Sequence, residues 1–244
     1  MWRQQSVATR REYATAGSRY HLTGFQYWMK YHLTNLPDIA GMWHLDEKSG
    51  AIATDFSRNG NHGTIIGATP ADGVIDGAFY FDGLNDEITL PVDMLASLTQ
   101  GTFSGFVCPL DKGDIFRCAL DANNYVALFI APAGPIRIKC KILGAVKYEF
   151  HTPALPLTQF YHFAWTKTGT THIVYYNGIV QPLTWITNVD PSIYFSNIPS
   201  PAANSFGIIW TTGWLKGYLD NPILHSTPLD QPSVIRHSLR RYPS

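Results

Sequence analysis

From residue 40 onward the chain is a succession of short apolar runs, each closed by Gly, Asn, Asp or Pro. Runs of this length, recurring about every ten residues with turn signals between them, are the mark of antiparallel strands joined by tight turns. The pattern predicts strands near 41–46, 63–67, 77–83, 86–90, 102–108, 114–120, 124–131, 135–142, 145–151, 160–167, 171–176, 179–183, 205–210 and 215–225. Val126, Leu128 and Ile130 alternate with Ala127, Phe129 and Ala131, so both faces of this strand are apolar and it belongs in the middle of a sheet. Phe79 and Phe81 oppose Tyr80, and Phe163 and Trp165 oppose Ala164, which assigns these rings to the core. Tyr176-Asn177-Gly178-Ile179 supplies two residues tolerant of positive φ, as a type I′ hairpin requires.

The periodicity changes at both ends. Phe25, Trp28 and Met29 stand at i, i+3, i+4, Leu36 continues that side, and Pro37 would end the helix. Near the other end Asp230 is placed to cap a helix whose first turn accepts Pro232. Val234, Ile235 and Leu239 would follow on one side. Arg236, Arg240 and Arg241 come near its C-terminus, where cations suit the helix dipole. The predicted class is all-β, a two-sheet antiparallel jelly-roll sandwich over 39–244. A basic, aromatic-rich arm with a short helix precedes it over 1–38, and a short helix closes it.

Composition supports a large core: 45% of the 244 residues are apolar, 14% are aromatic and only 15% are charged. Net charge is zero but uneven, at +4 over 1–37, −7 over 38–230 and +3 over 231–244. Basic ends on an acidic body suggest an arm that meets a partner, with Arg3, Arg10, Arg11, Arg19 and Trp28 as its candidate contacts. Cys108, Cys118 and Cys140 are odd in number and lack metal-ligand spacing. Cys140 alternates with Arg137, Lys139 and Lys141 and so falls on an apolar face, which points to buried reduced thiols. The opening Met1-Trp2-Arg3-Gln4-Gln5-Ser6 has no apolar core of a signal peptide, which leads to the expectation of a chain assembled in the cytoplasm.

Four segments together resemble the laminin-G-like jelly roll of the concanavalin A-like lectin and glucanase superfamily. They are Trp43-His44-Leu45-Asp46-Glu47 with Asp55-Phe56-Ser57 and Gly60-Asn61-His62-Gly63, then Gly77-Ala78-Phe79-Tyr80-Phe81-Asp82-Gly83 with Asp86. The others are Tyr161-His162-Phe163-Ala164-Trp165-Thr166 with Val174-Tyr175-Tyr176-Asn177-Gly178, and Gly217-Tyr218-Leu219-Asp220-Asn221 with Pro228-Leu229-Asp230. The resemblance covers about residues 40–240 and implies a binding fold of the type found in phage structural proteins. On that reading the chain is a non-enzymatic component of a bacteriophage head or tail, within an oligomeric virion assembly. The arm grips other virion proteins and the sandwich is displayed toward host-surface glycans. A free carbohydrate-binding lectin is the alternative, and a glycoside hydrolase the third reading.

Catalysis finds little support in the residues. A retaining glycosidase needs two carboxyl groups about 5–5.5 Å apart, yet Glu12, Glu47, Glu87 and Glu149 are the only Glu, and none has an acid two residues on. No His pair has zinc-site spacing. No cofactor is required. Because relatives in the superfamily bind calcium through rim loops, Asp82, Asp86, Asp220 and Asn221 are candidate calcium ligands if their loops converge. Asp55, Asn59 and Asn61 form a second oxygen-rich loop, where turn-making is the competing role. Trp185, Trp210 and Trp214, near Thr211, Thr212 and Asn188, are the candidate glycan or partner contacts, with 190–204 as one wall. Five cations in the arm could also contact nucleic acid, a weaker reading because Arg clusters of that size are common at protein interfaces.

Overall fold

The computed structural model describes residues 38–207 and 213–239. In chain order they form β1 (Ile39–Met42), β2 (Ile52–Ala53), β3 (Gly63–Ile66), β4 (Thr69–Asp72), β5 (Gly77–Asp82) and β6 (Glu87–Leu90). The long central strands follow: β7 (Gly101–Pro109), β8 (Gly113–Asp121), β9 (Asn124–Ile130), β10 (Pro135–Ile142), β11 (Ala145–Ala154) and β12 (Tyr161–Thr168). Then come β13 (Thr171–Tyr176), β14 (Ile179–Gln181), β15 (Thr184–Asn188), β16 (Ala203–Phe206), β17 (Lys216–His225) and α1 (Gln231–Ser238). One sheet runs β14-β13-β12-β7-β17-β5-β4, with β1 also paired to β17. The other runs β15-β11-β10-β9-β8-β16-β6-β3-β2. Every pairing is antiparallel, and the two sheets stack as a sandwich.

The core is where the alternating rings meet. Phe103 of β7 lies 4.8 Å from Phe116 of β8 and 5.5 Å from Phe163 of β12, which joins the sheets through aromatic contacts. Trp165 is edge-on to Tyr194 at 5.4 Å and to Phe195 at 5.9 Å. Each such ring contributes roughly 1.5–3 kcal/mol by leaving water. Strand β9 is buried along its whole length between β8 and β10, as its two apolar faces require. The three cysteines are free and buried.

The hairpin between β13 and β14 has Asn177 at φ 49° and Gly178 at φ 80°, the left-handed pair expected of Asn-Gly. Helix α1 packs on the outer face of the first sheet, where Val234 meets Ala164 and Tyr175. Asp230 caps it by accepting from Ser233 N at 2.9 Å. The buried side of α1 differs from the expected one. It carries Val234, His237 and Ser238 at i, i+3, i+4, while Ile235 is 37% exposed and Leu239 72%. True helical spacing favours the first set over 234, 235 and 239.

Three strands are absent from the expected set, and each has a physical excuse. Strand β2 is only two residues long, β4 contains Pro70 at the sheet edge, and β15 is an exposed edge strand just after Pro182. The first strand ends at Met42 instead of reaching Asp46, because Leu45 at φ 59° breaks the extended run. The strand expected over 205–210 is Ala203–Phe206, and 208–212 lie outside the described residues. The arm over 1–37 and its expected helix also lie outside them.

Candidate binding face

In β8, β9 and β10, the residues Phe116, Cys118, Val126, Leu128, Ile138 and Cys140 point into the core. Alternation therefore sends their neighbours to the outer face of the nine-stranded sheet. Register sets these neighbours side by side. Arg117 stands between Ser205 of β16 and Ala127 of β9. Lys139 of β10 is next to Ala127, and Glu149 of β11 is next to Lys139. In the parallel row, Phe129 faces Arg137, and Arg137 faces His151.

Two charge clusters occupy this face. Toward the centre, Arg117 donates from Nε and Nη2 to Asp114 Oδ2 at 3.0 and 2.5 Å, and both side chains are 0% exposed. The guanidinium lies over the Tyr125 ring at 4.7 Å. Burial lowers the Arg117 pKa against the opposing pull of Asp114, and burial pushes the Tyr125 hydroxyl up to about 12. Toward the β11 side, Glu149 accepts from Arg137 Nη1 at 3.2 Å and from Lys139 Nζ at 3.0 Å. Arg137 and Lys139 keep 32% and 25% of their side chains exposed. Lys141 Nζ extends the row to Asn123 Oδ1 at 3.1 Å, and Lys147 is half-buried on β11. Arg137 Nε is buried and has no hydrogen-bond partner among the described residues. The stripe is thus a set of cations two residues apart on one strand, with a single carboxylate among them. It can donate hydrogen bonds to hydroxyls and carboxylates, and guanidinium suits planar oxyanions best.

The expected site residues fall elsewhere. Trp185 sits on edge strand β15 and is 37% exposed. Its ring packs on Phe150 at 4.8 Å and His172 at 5.7 Å, so it closes the side of the sandwich. Trp214 is half-buried in the segment leading to β17, whose Gly213 carbonyl accepts from Asp114 N at 3.1 Å. β8 and β15 are four strand spacings apart, roughly 19 Å, so Trp185 and Trp214 do not form one platform. Trp210 lies outside the described residues, as do Arg3, Arg10, Arg11, Arg19 and Trp28.

The four calcium candidates form two pairs. Asp82 accepts from Leu84 N at 2.7 Å, and Asp86 accepts from Asp82 N at 2.9 Å, a turn that closes on itself. Asp220 accepts from Val74 N at 2.6 Å, from Ile75 N at 3.0 Å and from the Asn221 side-chain amide. Asn221 also bonds His44 Nδ1 at 2.7 Å. Asp82 pairs with Lys216, four residues along β17 from Asp220, or roughly 13 Å. The pairs therefore do not share a centre. Among the described residues no group of three His, Cys, Asp or Glu could hold a metal. Burial raises Asp220 to about 7, against the pull of its backbone donors. The Asp55 loop is tied inward: Asp55 accepts from Met42 N at 3.0 Å, from Ser57 N at 2.8 Å and from Asn61 N at 2.8 Å.

Sequence reasoning passed over Arg137, Lys139 and Glu149 as a site. The signal was present in the alternation of 136–142, where the basic residues fall on the face opposite Cys140. Their convergence with Glu149 depends on the β10–β11 register, which a linear reading does not contain.

No family model matches the chain, and no curated protein matches its sequence. Solved structures do match in fold. Domain 4 of AbnA, a GH43 extracellular arabinanase from Geobacillus stearothermophilus solved with arabinotriose, superposes with a TM-score of 0.63 at 19% identity. That match covers 82% of this chain and 98% of the arabinanase domain. Trypanosoma rangeli sialidase with the inhibitor DANA gives a TM-score of 0.61 at 13% identity, over 87% of this chain and 36% of the sialidase. The CBM40 of Ruminococcus gnavus IT-sialidase, bound to α2,3 sialyllactose, gives 0.50 at 14% identity, over 59% of this chain and 85% of that one. The chain thus spans about a third of the sialidase it matches. Identities this low establish the sandwich fold alone. They also correct one expectation. The fold is shared with domains of an arabinanase and of sialidases, so the likeness to virion components that led to a phage head or tail protein is withdrawn.

Proposed function

We propose that the sandwich is a non-catalytic carbohydrate-binding module that takes acidic saccharides on the β10–β11 part of its outer face. The observation that carries this reading is the half-exposed stripe Arg137, Lys139 and Lys141 with Lys147 beside it, balanced only by Glu149. Three of these cations recur at the two-residue spacing of one strand face, which suits successive carboxylates along a sugar chain. Exposed polar side chains on a rigid sheet form a site that needs no rearrangement to bind. Carbohydrate complexes of the arabinanase domain and of the CBM40 module lend support, since a sandwich of this shape holds a glycan in both. The finer likeness to laminin-G-like domains agrees with a binding role. A hydrolytic role is not adopted: Asp114 and Glu149, the two carboxylates of these charge clusters, are both engaged by cations.

The test is a glycan array followed by titration calorimetry with uronic-acid and sialylated oligosaccharides, beside their neutral counterparts. Acidic glycans should bind, and the double variant Arg137→Glu, Lys139→Glu should weaken binding at least tenfold, about 1.4 kcal/mol. Equal binding of neutral glycans, binding indifferent to the double variant, or release of reducing sugar would each overturn the reading.

A further inference from the structure

The turn between β10 and β11 runs against local turn chemistry. Register pairs Lys141 with Val146 and Ile142 with Ala145, so Leu143 and Gly144 form a two-residue loop. Leu143 has φ 50° and Gly144 φ 78°, almost the angles of the Asn177-Gly178 turn, 49° and 80°. Two left-handed residues are what a type I′ turn requires. Asn is favoured at the first of them because its short polar side chain can bond the nearby backbone; Leu has no such bond to make. Leu143 is also 85% exposed, the most exposed large apolar side chain among the described residues. The neighbouring β8–β9 turn holds it there. Leu143 N donates to Asn124 Oδ1 at 2.9 Å and Gly144 N to the Asn123 carbonyl at 3.1 Å. Lys141 Nζ donates to the Ala122 carbonyl at 3.3 Å and to Asn123 Oδ1 at 3.1 Å. A strained residue persists only where its surroundings over-determine it. Leu143 is thus fixed in a costly conformation with its side chain in water, which serves a contact outside the fold.

We propose that Leu143 is a specificity-determining residue of the cationic stripe, where it contacts the methyl of an acetyl group on an acidic saccharide whose carboxylate meets Lys141. The inference rests on the glycan reading and narrows its ligand to acetylated acidic saccharides. Position supports it. Leu143 ends the row Arg137, Lys139 and Lys141, and two residues of chain place its Cα within ~7 Å of that of Lys141. One sugar residue with its substituents spans that gap. An ammonium has three N–H groups. Two of those on Lys141 go to the β8–β9 turn, which leaves one for a ligand. Size and charge select the substituent. A lone Leu suits a small apolar group, whereas a protein partner needs ~800 Å² on each side. A methyl ester would cancel the charge that draws the ligand to the stripe. An acetyl ester on a hydroxyl adds an apolar methyl and leaves the carboxylate ionised.

The experiment uses the full chain and Leu143→Asn, a variant that suits the turn and so keeps the fold. Titration calorimetry compares O-acetylated uronic-acid oligosaccharides with the same material after mild alkaline deacetylation, which leaves every carboxylate in place. The parent should bind the acetylated form about fivefold more tightly, or about 1 kcal/mol. Leu143→Asn should bind both forms alike, at the affinity of the parent for the deacetylated one. Its melting temperature should rise by about 2–4 °C as the strain is relieved. Equal binding of the two forms by the parent overturns this inference and leaves the glycan reading standing. So does a preference that survives in Leu143→Asn, or an equal loss of affinity for both forms. A lower melting temperature for the variant shows that Leu143 serves the fold, which overturns the inference as well. Binding of neither form by the parent overturns the glycan reading and this inference with it.

Discussion

At the scale of a single residue, His172 shows how burial chooses a protonation state. Its Nε2 lies 2.9 Å from the Pro191 carbonyl, which can only accept, so Nε2 carries the proton. Nδ1 is then the acceptor for the Trp165 indole N–H at 3.3 Å. The ring is neutral, enclosed by Tyr148, Phe150, Trp165 and Trp185. Burial pushes its pKa down to about 4, with Lys167 adding to the shift and the Pro191 bond opposing it. Unfolding releases the ring to an ordinary value near 6.5. Between pH 6.5 and 4 the unfolded chain binds a proton that the folded one refuses, so stability falls as pH drops through that window. Chemical denaturation at pH 7.5 and 4.5 should show His172→Phe losing less stability than the parent, by up to about 3 kcal/mol. An identical loss in both proteins would mean that the ring takes up its proton as readily in the fold as in the unfolded chain. Nothing in Thr171-His172-Ile173 announces this enclosure, because the rings around it come from β11, β12 and β15.

At the scale of an element, the β13–β14 hairpin and α1 stabilise one another. Gly178 sits at φ 80°, and a Cβ added there would come within 2.6 Å of Ile235 Cγ1. Gln231 Nε2 donates to the Gly178 carbonyl at 3.1 Å. Gly178→Val therefore carries two penalties, the left-handed backbone cost of about 1–2 kcal/mol and a clash with the helix. Thermal melts should show a loss greater than the backbone cost alone, and Gly178→Ala should recover part of it. A loss in both variants no larger than the backbone cost would mean that the helix does not press on the turn. The Asn-Gly turn and the Asp230 cap were legible from local chemistry, since each is written in four or five consecutive residues. Edge strands β2, β4 and β15 were not, because their pairing is decided by a neighbour and their own residues are short, proline-bearing or exposed. The inward side of α1 was likewise set by where Ala164 and Tyr175 lie beneath it.

At the scale of the whole molecule, Asp55 links the two sheets. It takes hydrogen bonds from Met42 N at the end of β1 in one sheet and from Asn61 N just before β3 in the other. Ser57 adds bonds from N at 2.8 Å and Oγ at 2.7 Å. Asp55→Ala leaves buried donors without an acceptor and should cost about 3 kcal/mol or more, since bonds to a charged acceptor contribute roughly 1.5–3 kcal/mol each. Asp55→Asn should retain part of this. Urea unfolding of the two variants measures the difference, and an Ala variant within 0.5 kcal/mol of the parent, roughly the scatter of a surface substitution, would show that the loop holds without its carboxylate. Placement of the binding stripe is also a whole-molecule property. Arg137, Lys139 and Lys141 lie on one strand face by alternation, but Glu149 joins them only through the β10–β11 pairing.

The sequence by itself determined that this chain stacks two antiparallel sheets around aromatic residues. Alternation and turn chemistry are local, and they repeat often enough to define strands, one hairpin and the closing helix. Tertiary structure alone decided which polar groups become a site. It separated the paired tryptophans and the calcium candidates, buried Arg117 with Asp114 outside the core, and gathered a cationic stripe around Glu149. The reason is physical: burial and electrostatic environment depend on strands brought together from distant parts of the chain, and no local spacing encodes which face is covered.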